Sequence, residues 1–171
     1  DVNTETPLLL AVGRLVARKG FQTLIRAMPL ILKELPNSHL VIVGRGHMAK
    51  TLKKQVKKMG IQDKITIEAG VPFEELTQLY RSSDLVIYPS YYEGQGLVPL
   101  EAMASGTSIV TVNHGPLPEM VDIEVGNTFT AGDEKELAKV VINELKNFEN
   151  RKEKIKIGRK RILDKYTYAH N

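Results

Sequence analysis

The sequence predicts a doubly wound α/β domain, a parallel β-sheet with helices on both faces. Three observations lead there. Short, mainly apolar runs recur at residues 8–12, 40–43, 84–88 and 108–112, as expected of strands buried on both faces. Between them lie longer segments whose apolar residues fall three and four apart, the spacing of a helix with one buried face. Most junctions carry Gly or Pro, the usual punctuation of turns. Strand and helix in alternation imply parallel pairing through crossover helices.

Residues 8–12 form the first strand, closed by Gly13. Phe21, Leu24, Ile25, Met28, Ile31, Leu32 and Leu35 then mark a helix that Pro36 ends, and Pro29 inside it predicts a kink or a break. A strand at 39–43 precedes a helix marked by Met48, Leu52 and Val56, with Gly60 as its stop. A short strand at 65–67 and a helix at 73–80 follow, then the strand at 84–88. A helix with Pro99 near its start and Gly106 past its end comes next, with proline just inside and glycine just outside. Residues 108–112 are a strand, 113–118 a turn cluster and 127–130 a last short strand. Leu137, Val140, Val141, Glu144 and Leu145 describe a helix starting near Asp133, and a basic helix occupies 150–166, with Ile155, Ile162, Leu163 and Tyr166 as a narrow apolar stripe.

The 171 residues suit one domain with a sizeable core. A hydrophobic content of 42% and a charged content of 26% exclude a disordered chain. Without cysteine there is no disulfide framework and no thiolate metal site. No apolar run is long enough to span a bilayer, and no leader pattern opens the chain, so a cytoplasmic location is expected. The net charge of +4 is unevenly placed: residues 151–165 carry eight Lys/Arg and two Asp/Glu, a net +6.

Two loops carry the candidate chemistry. After the first strand, Gly13-Arg14-Leu15-Val16-Ala17-Arg18-Lys19-Gly20 sets three cations before a helix whose first turn holds no acid. Cations at the positive end of a helix are unfavourable by roughly 0.3–1 kcal/mol each, and a bound anion reverses the sign. A single Lys or Arg there would simply reach into water; three beside two glycines favour a phosphate. After the strand at 84–88, Glu93-Gly94-Gln95-Gly96-Leu97-Val98-Pro99-Leu100-Glu101 places two carboxylates around a Gly-x-Gly turn and a helix start where Val98 offers no capping oxygen. Uncapped N–H groups suit an anion, and carboxylates suit the hydroxyls of a sugar or ribose. Alone, Glu101 could equally be a first-turn acid favoured by the helix dipole, and Glu93 an ordinary loop acid.

Gly44-Arg45-Gly46-His47-Met48-Ala49 imitates a dinucleotide fingerprint, with Glu68 some twenty residues on, but it follows the second strand rather than the first. A tight strand-to-helix turn accounts for it as well. The four histidines lack metal-type spacing, so no metal site is expected. Lys50, Lys53, Lys54, Lys57 and Lys58 read as a solvated helix face.

With Gly13-Arg14…Lys19-Gly20 and the Glu93-to-Glu101 stretch in order, the chain resembles the C-terminal, donor-binding domain of the retaining nucleotide-sugar glycosyltransferases of the two-domain GT-B fold, the large fourth family also called glycosyl transferases group 1. The likeness runs from about Leu8 to Tyr166. It implies that Gly13, Arg14 and Lys19 hold the diphosphate, joined by the backbone N–H groups of Leu97 and Val98. It implies that Glu93 is the catalytic acid at the donor sugar, that Glu101 binds the ribose and that Gly70 and Val71 cradle the base. The donor implied is a UDP- or GDP-hexose, with no cofactor and no protein-bound metal. Gln95 stands where the family usually has an aromatic residue or proline, and His114 where a second glycine is common.

The resemblance also implies a carbohydrate or lipid-linked acceptor held by an N-terminal domain that has no counterpart in residues 1–171. These residues are therefore expected to form one nucleotide-sugar-binding domain that binds donor without turnover. An NAD-binding module built on Gly44 and Gly46 is the alternative. A nucleic-acid-binding domain using the basic helix is another, disfavoured because that helix lacks interleaved aromatics. The same helix is open to peripheral contact with an acidic membrane.

Overall fold

The computed structural model describes residues 6–92 and 96–166. Six strands, β1 Leu8–Val12, β2 His39–Val43, β3 Ile65–Glu68, β4 Leu85–Tyr88, β5 Ile109–Val112 and β6 Gly126–Phe129, make one sheet in the order β3-β2-β1-β4-β5-β6. Every pairing is parallel, so the expected fold class is what forms. The order reverses between β1 and β4, which opens a crevice at their carboxyl ends.

Helices α1 Phe21–Glu34, α2 Ala49–Lys58, α3 Phe73–Ser82, α4 Leu97–Ala104, α5 Leu117–Met120, α6 Glu134–Lys146 and α7 Phe148–Tyr166 cover the sheet. α1 packs on α2 and α6, whereas α4 packs on α7. Right-handed crossovers that proceed in opposite directions from the centre require such a division between the two faces. All four residues of β4 and of β5 are buried, which is why these strands read as mainly apolar runs, with Thr111 the one polar residue of the two. Each fully buried Leu, Ile or Val contributes about 1.5–3 kcal/mol, and the core joins Leu9, Leu24, Ile25, Ile87, Val110 and Val141.

Four expectations need correction. Pro29 does not break α1, which continues to Glu34; burial of Phe21, Leu24, Ile25, Met28 and Ile31 along one face outweighs the single lost backbone bond. The turn cluster at 113–118 runs into a short helix, α5, entered through Pro116 and Pro118. Asp84 precedes β4 rather than opening it, and its Oδ2 accepts a bond from the Leu8 N–H at 2.8 Å.

The fourth concerns α7, which packs only in part through the expected apolar stripe, by Ile162. Leu163 is 55% exposed, and Ile155 and Ile162 are only half-buried. The buried positions are instead Arg151, Lys154 and Gly158, spaced three and four apart. A Cβ on Gly158 would stand 3.3 Å from Met103 Cγ, so glycine lets α7 approach α4 closely.

Arg151 and Lys154 converge on Glu144, the one acid in the apolar stripe of α6. Lys154 Nζ donates to Glu144 Oε1 at 2.5 Å, and Arg151 Nη1 to the Glu144 carbonyl at 3.0 Å. Ser108 Oγ and Asn127 Nδ2, from the β-sheet side, complete the carboxylate's partners at 3.3 Å each. Burial pulls the Arg151 pKa below the ordinary guanidinium range, and the charges of Asp84 and Glu144 push back. Farther along, Arg161 bridges Asp122 and Glu124 at 2.8 and 3.0 Å. Part of the tail helix's positive charge is thus spent within the fold.

Lys154→Ala leaves the buried Glu144 carboxylate without its ammonium partner and should cost about 3–5 kcal/mol. The measurement is the urea midpoint at unchanged slope. Replacing the pair together, as Glu144→Gln with Lys154→Met, should cost much less, because no unpaired charge remains.

Candidate functional site

The crevice at the carboxyl ends of β1 and β4 is built from two loops held against each other. Past β1, the Gly13 N–H bonds the Val43 carbonyl at 3.1 Å. The loop then makes a single 3-10 turn at Ala17–Lys19 and ends at Gly20, whose φ of 72° is left-handed. A Cβ on Gly20 would fall 1.9 Å from the Pro89 carbonyl oxygen, so only glycine lets this loop touch the segment after β4. The contact is fastened by the Tyr91 N–H donating to the Arg18 carbonyl at 2.7 Å and by the Tyr91 and Thr23 hydroxyls 2.5 Å apart.

α1 starts with no side-chain cap and no acid in its first turn. Lys19 Nζ donates to the Tyr88 hydroxyl at 3.1 Å and lies 5.4 Å from that ring's centroid. A cation of the β1–α1 loop is therefore carried to the end of β4. Arg14 and Arg18 are exposed on the same loop.

α4 begins on the other side of the crevice. Its capping residue is Gly96, not Val98; Leu97 and Val98 are already helical, and no side chain caps the start. Pro99 therefore sits third rather than first, and Glu101 fifth rather than third, two positions deeper than the sequence suggested. Leu97 is 60% exposed and Val98 half-buried. Gly96 is pressed against α5: a Cβ there would come 2.9 Å from Met120 Sδ and 3.0 Å from Leu117 Cδ2. Glu93, the expected catalytic acid, lies with Gly94 and Gln95 outside the described residues.

Glu101 is exposed and reaches α3, where its Oε2 accepts the Tyr80 hydroxyl at 2.7 Å. Burial first, and then the Glu101 charge, raise the Tyr80 phenol well above its ordinary 10.0. Both residues line a cleft of about 260 Å³ between α3 and α4, together with Phe73, which is 83% exposed at the start of α3.

Gly70, with φ of 103°, and the half-buried Val71 lead into α3. Arg45 reaches over them: its Nε donates to the Ala69 carbonyl, and a Cβ on Gly70 would stand 3.0 Å from that Nε. The glycines flanking Arg45 are consumed by packing. A Cβ on Gly44 would meet the Gly13 carbonyl at 1.7 Å, and one on Gly46 the Leu15 carbonyl at 2.4 Å. On their Cβ sides both glycines thus meet the backbone of the β1–α1 loop, a packing reason for glycine that needs no dinucleotide, while Gly46 is otherwise exposed.

Sequence reasoning missed Tyr80, Tyr88 and the bearing of Arg45 on Gly70. Tyr80 closes the α3 stripe as an apparently apolar residue, and its buried hydroxyl was the available signal, since such a group needs a partner. His114, the departure from glycine, is exposed beside Tyr92, with ring centroids 6.4 Å apart.

A tyrosine whose folded pKa exceeds the unfolded value of 10.0 stabilises fully below that pH. Above it the unfolded chain loses the proton and the folded chain keeps it, so stability falls as pH rises, at up to about 1.4 kcal/mol per pH unit. Tyr80→Phe should flatten this decline between pH 10 and 11, read by urea unfolding at each pH. Gly20→Ala should separate the two loops and cost at least about 1–3 kcal/mol in the same assay.

Residues 1–161 match the model of the family described as glycosyl transferases group 1. The chain is 43% identical over 124 residues to an uncharacterised glycosyltransferase of Methanocaldococcus jannaschii, a match covering 72% of this chain and 32% of that protein. It is 36% identical over 124 residues to a GDP-mannose-dependent alpha-(1-6)-phosphatidylinositol monomannoside mannosyltransferase of Mycobacterium tuberculosis, covering 68% and 32% respectively. Among solved structures, the C-terminal domain of a group 1 family glycosyl transferase from Francisella tularensis superposes with a TM-score of 0.84 at 26% identity, over 96% of this chain and 89% of that one. Sucrose-phosphate synthase from Thermosynechococcus elongatus gives 0.85 at 28% identity, over 95% and 42%. The chain spans about a third of the length of the curated relatives it matches. Matched by the family model over nearly all its length and folded as one Rossmann-like half of a GT-B enzyme, the chain belongs to the glycosyl transferases group 1 family.

Proposed function

We propose that this domain binds the nucleotide diphosphate-sugar donor, a UDP- or GDP-hexose, of a retaining glycosyltransferase whose acceptor is held by a further domain. The observation that carries the proposal is the closure of the β1–α1 loop onto the segment leading to α4, which sets Lys19 against Tyr88 at the end of β4. In this arrangement Arg14 and Lys19 hold the diphosphate with the N–H groups of Leu97 and Val98 at the uncapped start of α4. Glu101 takes the ribose hydroxyls, with Tyr80 fixing its orientation. Gly70 and Val71 bound the base, and Arg45 covers the same side.

The chemistry asks little else of this half. As the bond between the anomeric carbon and the phosphate oxygen breaks, negative charge grows on the diphosphate, where cations and helix N–H groups stabilise it. Positive charge grows at the sugar ring, where the carboxylate of Glu93 is assigned to oppose it. The acceptor, carbohydrate or lipid-linked, comes from outside this domain, in keeping with relatives of which the match covers only 32%. The mycobacterial relative is GDP-mannose-dependent by name, which supports a guanosine donor over a uridine one.

Calorimetry with UDP, GDP and NADH tests the proposal. One diphosphate should bind more tightly than NADH, and Arg14→Ala or Lys19→Ala should each weaken it about 10- to 100-fold, the worth of a charged hydrogen bond. Glu101→Ala should weaken a ribonucleotide but leave its 2′,3′-dideoxy analogue unchanged. Preference for NADH, or indifference to both cation substitutions, overturns the site. Robust sugar transfer by residues 1–171 alone overturns the division of labour between domains.

A further inference from the structure

α2 is the one helix of the described residues that carries several cations and no acid. Lys50, Lys53, Lys54, Lys57 and Lys58 are all exposed. At 100° per residue they fall within an arc of about 140°, with Leu52 and Val56 buried on the opposite side. The pairs 50/54, 53/57 and 54/58 are like charges one turn apart, each unfavourable by roughly 0.2–0.5 kcal/mol. Lys50 also stands at the positive end of the helix dipole. The other basic helix differs: α7 mixes its cations with Glu149, Glu153 and Asp164, buries Arg151 and Lys154, and pairs Arg161. Only α2 holds an unopposed charge that a polyanion would relieve.

Beside this face lies a groove of about 310 Å³ along the open edge of the sheet, with Lys53 and Lys57 on its rim and Val56, Ile65 and Ile67 on its floor. Neighbouring α1 adds Arg26, Lys33 and the 40% exposed Leu30 to the same layer, and the one acid of α1, Glu34, pairs with Lys146; Asp63 and Glu68 are the acids nearest the groove in sequence. Cations on flexible stems around an aliphatic floor match an anionic headgroup layer above acyl chains. A nucleic acid fits less well: neither α2 nor β3 has an aromatic side chain to stack a base, and α2 has no arginine to fork onto phosphate.

We infer that the α2 lysine face and its groove dock this domain onto an anionic lipid bilayer.

Vesicle co-sedimentation of the chain tests this, comparing phosphatidylcholine vesicles with phosphatidylcholine–phosphatidylglycerol mixtures. Binding should require the anionic lipid and fall steeply with salt. Changing Lys50, Lys53, Lys54 and Lys57 together to glutamine should weaken it about 100-fold or more, at about fivefold per charge. The melting temperature of that variant should hold or rise, because the like-charge pairs are gone. Lys152→Gln, Lys156→Gln and Lys160→Gln together on α7 should leave binding within about threefold, as should the presence of saturating nucleotide. Binding that survives the α2 changes, binding lost with the α7 changes instead, or duplex DNA bound more tightly than anionic vesicles overturns the inference.

Discussion

The contact on which the rest of the site depends is that of Gly20 with the Pro89 carbonyl. No side chain fits between them, and the backbone bond from Tyr91 to Arg18 closes the same junction. A doubly wound sheet places the loops after β1 and β4 side by side, because the strand order reverses there. Adjacency alone leaves a gap between the loops. Direct backbone contact turns the gap into a wall, and a cation from one loop can then rest on a tyrosine from the other strand.

Charge is treated in two opposite ways in this molecule. Around Glu144 it is buried and matched within the fold, by Lys154, Arg151, Ser108 and Asn127. Such a centre adds little net stability over an apolar equivalent, but it tolerates no missing member. It fixes how α7 lies against α6 and, through Gly158, against α4. At the crevice the charge is on the surface side of the fold: Arg14 and Arg18 are exposed on the loop before α1, whose start offers neither a cap nor an acid.

The sequence disclosed the fold well, because β4 and β5 are buried on both faces and betray themselves as apolar runs, while Gly and Pro stand at the junctions. The ordering of the motifs was legible too, since each sits directly after a strand. What eluded sequence reasoning was tertiary. Arg151 and Lys154 look like solvent-facing residues until Glu144, on a different helix, is placed beside them. The start of α4 was misplaced by two residues because proline is common at a first helical position, whereas here Leu97 and Val98 precede it inside the helix. Tyr80 and Glu101 are 21 residues apart, and no periodicity links α3 to α4. The role foreseen for Glu93 falls on residues that are not described.

The displacement of Glu101 into the second turn of α4 bears on how the site can work. In the first turn a carboxylate would compete with the bound anion for the free N–H groups. Two positions deeper it leaves those groups to the proposed diphosphate and reaches sideways to α3, where Tyr80 holds one of its oxygens. The phenol, kept protonated by burial, can only donate to that oxygen, so the carboxylate is oriented without being neutralised. In the proposed site, phosphate and hydroxyl recognition are thereby separated along a single eight-residue helix. α5 secures its first residues through Met120 and Leu117, and α7 supports its buried side. A short helix with no cap of its own can hold this division only because its neighbours fix both its start and its flank.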